Sequence, residues 1–150
     1  MKQFLFGLCM MMILSPALAV DQANESADIQ DNRVMVDFPD GVRQSMLDLM
    51  RHHLSSLQEV QQALAESNFN RAAEIAEFRL GVSSVGPRNA RQRAYMPPPM
   101  QYLGGEMHRA SSRLALAAKE ADMRKALEGL SEVTGVCVGC HATFRAKRLE

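Results

Sequence analysis

From Asp40 onward, apolar residues recur at intervals of three and four, the spacing of one face of an α-helix. Met46, Met50, His53, Leu54, Leu57, Val60 or Gln61, and Leu64 make the first stripe. They predict a helix over residues 40–66, with Asp40 after Pro39 as its cap. Ser67-Asn68 reads as a turn, and Asn68 can cap a shorter helix carrying Phe69, Ala72, Ala73, Ala76 and Leu80. Gly81 fits its C-terminal stop. Residues 82–97 form the longest stretch expected to be irregular. Pro97-Pro98-Pro99 then pre-sets a third helix, striped by Met100, Leu103, Met107, Ser111, Leu114 and Ala118. After a joint at Ala121-Asp122, a last stripe runs through Met123, Ala126, Leu127, Leu130, Val133, Cys137, Cys140, His141 and Phe144 to about residue 147. Four such segments predict an all-α fold, an antiparallel four-helix bundle.

Composition agrees with helix. The chain has no Trp and only two Tyr, and it is rich in unbranched apolar residues, which lose little rotamer freedom in a helix. Acidic and basic residues balance at 17 each, which gives no basic face for nucleic acid. Gly104-Gly105 inside the third helix weakens it by about 1 kcal/mol per Gly. Either the helix kinks or frays there, or the backbone approaches a flat ligand closely.

Residues 1–19 have the form of a cleaved signal peptide. Lys2 supplies a positive start, residues 4–14 an apolar run broken by Gly7, and Ala17-Leu18-Ala19 a small-x-small cleavage site. The run is shorter than the roughly 20 residues of a bilayer span, so no stable membrane anchor is expected. Cleavage after Ala19 removes Cys9 and leaves Cys137 and Cys140 as the only cysteines. Residues 20–38 are expected to be a polar leader, with Val34, Met35, Val36 and Phe38 able to dock on the domain at 39–150. The protein is expected in the periplasm.

Cys137-Val138-Gly139-Cys140-His141 is the Cys-x-x-Cys-His pattern of haem c attachment. Residues three and four apart share a helix face. Both thiols can therefore reach the edge of one porphyrin as thioethers, while His141 aims its imidazole at the iron. A bare Cys-x-x-Cys can also be a disulfide, a redox dithiol or half a zinc site. A dithiol enzyme would sit near a βαβ pattern, which is missing here, and His141 is poorly spaced for zinc. In an exported helical chain, one covalent haem with its iron is the expected cofactor.

A haem motif close to the C-terminus, followed by an aromatic residue and Arg, resembles the class II cytochromes c, the cytochrome c-prime family and its low-spin relatives. Cys137, Cys140, His141, Phe144 and Arg145 carry the resemblance. It implies a four-helix bundle with the haem near the last helix and His141 as proximal axial ligand. It also implies Phe144 and Arg145 in the haem environment, and pairing of two copies through their first helices. Arg145 can equally be a solvated Arg complementing the helix end.

In that family the sixth iron position faces the first helix. There a Met ligates iron in the low-spin relatives, and an apolar open site binds small gases in cytochrome c-prime. Met50, on the first stripe, matches the Met register, with Met46 one turn earlier and His53 one turn later as rivals. A thioether raises the potential, whereas a second His usually lowers it. A Met on such a stripe can also be simple core filling. Met100, Leu103 and Met107 read as haem wall or core, His52 and His108 as surface residues. Arg88, Arg91 and Arg93 could steer an acidic redox partner protein. The expected function is one-electron transfer without enzymatic turnover. The alternatives are a five-coordinate protein binding nitric oxide or carbon monoxide, and a haem-free structural or thiol-redox bundle.

Overall fold

In the computed structural model, which describes residues 31–147, helix α1 spans Asp40–Ala65. The signal sequence, the cleavage site after Ala19 and residues 20–30 lie outside the described residues. Pro39, not Asp40, takes the cap position: the Arg43 N–H donates to the Pro39 carbonyl at 2.8 Å. Asp40 occupies the first turn instead, where a carboxylate favours the positive end of the helix dipole. The buried stripe of α1 is Met46, His53, Ser56, Leu57, Val60, Ala63 and Leu64. Leu54, expected on it, is 70% exposed.

Asn68 caps α2 (Phe69–Ile75) as expected, its side chain accepting from the Arg71 N–H at 3.1 Å. A π-helical turn over Ala76–Leu80 continues α2. Gly81 ends it in extended conformation, and the position needs glycine for space: an added Cβ would lie 2.7 Å from the Glu77 carbonyl oxygen. Residues 82–97 are more regular than their sequence suggests. They hold a 3₁₀ turn (Val82–Ser84) and helix α3 (Pro87–Arg93). The buried Gln92 side chain ties α3 to α1 by donating to Ser45 Oγ at 2.9 Å.

Helix α4 spans Pro98–Lys119 with proline in its first positions, and it runs unbroken through Gly104-Gly105. Asp122 caps α5 (Met123–Thr143) by accepting from the Lys125 N–H at 3.1 Å. The last helix stops at Thr143, short of the expected residue 147. Phe144–Ala146 turns into a strand, β2, pairing in parallel with β1 (Val34–Val36) in the register Val34 to Phe144 and Val36 to Ala146. The compact unit begins at Asn32 and takes in β1. Pairing with β1 gives the chain leaving α5 its backbone partners, and the Lys147 N–H adds a bond to the Val36 carbonyl at 3.1 Å.

The main core joins α1, α2, α4 and α5 through Val60, Leu64, Ile75, Leu80, Leu114 and Val133. A second cluster of Val36, Phe38, Met46 and Phe144 lies under the strand pair. The described residues are thus mainly helical, with one short strand pair. None of their helices is long and apolar enough to cross a membrane.

Ala121, between α4 and α5, sits at φ 53°, a left-handed conformation that strains a Cβ. Ala121→Gly should raise the unfolding free energy by about 1 kcal/mol, read by denaturant titration. A loss of stability would mean that the turn is held by something other than its backbone.

Candidate functional site

Three helix faces meet at an apolar cleft of about 160 Å³. From α1 come Met50, His53, Leu54 and Leu57, at the spacing of one face. From α4 come Leu103, Gly104 and Met107. From α5 come Val136, Cys137, Cys140 and His141. The sequence motif and the first helix are thus brought to the walls of one space.

Both thiols are free and half-buried. Cys137 packs against the main core and Cys140 against the second cluster, so the pair bridges the two apolar bodies. Burial pushes both thiols up from their ordinary range, and for Cys140 the neighbouring Cys137 adds to the effect. A reactive dithiol needs the opposite, a depressed value and a thiolate at neutral pH. His141 is exposed at the end of the helix, where its backbone carbonyl accepts from Arg33 Nη1 at 3.2 Å.

On the α1 wall, Met50 is half-buried and His53 only 8% exposed. The His53 imidazole makes no hydrogen bond to another described residue. Burial, and then the nearby His108 and His52 rings, push it down to about 4, so it is neutral at pH 7. Met46 does not line the cleft; it is buried in the second cluster beside Phe38 and Phe144. Met100 and Leu103 pack on that cluster and Met107 in the main core.

Several sequence expectations need correction. Phe144 and Arg145 do not continue the α5 face, because the helix ends before them. Phe144 is buried under the strand pair, Arg145 stands opposite Met35 in β2, and neither lines the cleft. His108 is not a surface residue: it is half-buried, with Nδ1 2.7 Å from the Leu80 carbonyl oxygen. His52 is exposed, as expected. Arg91 and Arg93 are exposed on α3, and the Arg88 side chain lies outside the described residues.

Sequence reasoning missed a second cavity of about 260 Å³ between α1, α4 and the 82–96 segment. It shares His53, Gly104 and Met107 with the first. A Cβ on Gly104 would meet nothing within 4 Å, so the glycine leaves open space at the junction of the two cavities. The one available signal was the Gly104-Gly105 pair in a helix of otherwise good formers. Among the described residues, no three His, Cys, Asp or Glu side chains gather around a common point for a bare metal ion.

No protein-family model, no curated protein and no solved structure matches the chain.

The His53 shift has a sign that can be measured. Its value is about 4 in the folded protein against 6.5 in a free chain. Between these values the unfolded state binds more protons, so His53 costs nothing above about pH 6.5 and removes stability as pH falls toward 4. The full effect is about 3 kcal/mol. In chemical denaturation of the haem-free chain, the stability difference between wild type and His53→Gln should shift in favour of Gln by about this amount as pH falls. A difference that stays constant with pH would contradict a buried neutral imidazole.

Proposed function

We propose that the chain is an exported, periplasmic mono-haem c-type cytochrome that carries single electrons, an antiparallel four-helix bundle with its haem on the last helix. The observation that carries this reading is the meeting of Cys137, Cys140 and His141 with Met50 and His53 across one apolar cleft. The donor set fits the cofactor. Two protonated thiols on one helix face suit thioether attachment, and an imidazole lies four residues from the first of them. A soft thioether stands on the α1 wall, at Met50. The cleft alone is smaller than the roughly 300–1,000 Å³ of a ligand pocket. Its walls are nevertheless yielding: Met50 is a flexible side chain and Leu54 projects into solvent.

When bound, haem supplies an iron that exchanges one electron between ferric and ferrous states. Cys137 and Cys140 hold it without a closed pocket. His141 and Met50 would hold the iron, a donor pair that would favour its reduced state and raise the potential. Leu57, Leu103 and Met107 line the cleft and would exclude water from the ring, which would lower the local dielectric and tune the potential further. Met46 is a weaker rival than its sequence position suggests, since it packs away from the cleft. The raised thiols speak against a dithiol redox role.

A second reading is five-coordinate iron binding nitric oxide or carbon monoxide, favoured by the leucine-rich wall formed by Leu54, Leu57 and Leu103. Spectra of protein made with haem-maturation machinery separate the two. Sharp reduced bands with a weak far-red ferric band mark His/Met ligation. Broad high-spin bands that shift on adding carbon monoxide mark an open site. Met50→Ala should convert the first type into the second and lower the potential by on the order of 100 mV, in line with the weight of axial ligand identity. An unchanged spectrum and potential would remove Met50 as ligand.

A further inference from the structure

The second cavity has a feature that electron transfer through a His/Met haem leaves unused. His53 lies more than nine-tenths buried between the two cavities and has no hydrogen-bond partner among the described residues. His108 faces the same cavity, its ring centroid 6.1 Å from that of His53 and edge-on at 89°. A carbonyl oxygen can only accept, so the 2.7 Å contact to Leu80 makes His108 Nδ1 the donor. That fixes the tautomer and leaves the Nε2 lone pair free. An imidazole whose other nitrogen is anchored to a backbone carbonyl is the usual arrangement of a metal-bound histidine. Met96 and Met107 line the same space, and the Met107 sulfur accepts from Ser111 Oγ at 3.7 Å.

We infer that His53 and His108 form a metal site separate from the haem iron, taking a soft monovalent ion, Cu(I), with a Met96 or Met107 thioether as third donor. Thioether donors select Cu(I) over zinc, and two imidazoles suit copper. A low-charge ion also suits the surroundings. Arg109 reaches the cavity but is paired with Glu106, and Arg93 is exposed to solvent. No carboxylate lines the cavity to attract a hard cation.

The test uses the full, haem-loaded protein, in which Cys137 and Cys140 are bound as thioethers and cannot take copper as thiolates. Cu(I) is titrated against a coloured Cu(I) chelator, with the haem spectrum recorded in parallel. The expected result is one Cu(I) per chain. His108→Gln and His53→Gln should each weaken binding more than about tenfold, with the haem bands of His108→Gln unchanged. No copper held by wild type, or copper held equally by both variants, overturns the site. If His53→Gln fails to fold, His108→Gln decides alone. A chain without haem would count against the proposed function only. The same titration then goes on in a Cys137→Ser/Cys140→Ser background, where the histidine variants decide as before.

Discussion

The close approach of α5 to α4 is the contact on which the site depends. At Gly129 an added Cβ would lie 3.0 Å from the Leu114 Cα, so any larger residue would push the two backbones apart by a few tenths of an ångström. Ala110, Ala115, Ala118 and Ala126 continue the small-residue surface around it. Close packing at this level leaves no slack, and a larger residue there would cost about 1–3 kcal/mol. Farther from the α4–α5 turn, the facing residues change to Gly104, Met107, Val136 and Cys140, and the helices border a cleft instead of a packed seam. The same two helices therefore supply a rigid base and an open mouth, and the motif sits at the mouth.

The strand pair fixes the other boundary. By pairing with β1, β2 draws Phe144 into the second cluster, and α5 ends two residues after His141. Arg33, just before β1, reaches the His141 carbonyl. The segment expected to be a leader thus forms part of the support of the motif helix. The cleft lies between the two apolar clusters, with one cysteine packed on each, so both bodies set the spacing of the thiols against α1.

Helix positions were legible because their stripes are long and their caps are local: α1, α2, α4 and α5 begin where Pro39, Asn68, Pro97 and Asp122 place them. The grouping of Cys137, Cys140 and His141 on one cleft was legible because residues three and four apart share a helix face. The strand pair was not, since β1 and β2 are three residues each and more than a hundred residues apart. Short pairings of that kind carry no periodic signal. Helix α3 was hidden by its polar surface, and the buried Gln92 that ties it to α1 is itself a polar residue. His108 read as surface because it lies off the stripe, and its partner, the Leu80 carbonyl, is a backbone group that no side-chain pattern marks.

Covalent attachment at Cys137 and Cys140 is the claim from which ligation, potential and stability all follow. Intact-mass measurement of the protein, made in a periplasm with haem-maturation machinery and extracted with acid and solvent, tests it most directly. The expected result is a chain beginning at Val20 that keeps the mass of one haem through extraction, and a Cys137→Ser/Cys140→Ser chain that keeps none. An unmodified wild-type mass with two titratable thiols would contradict it.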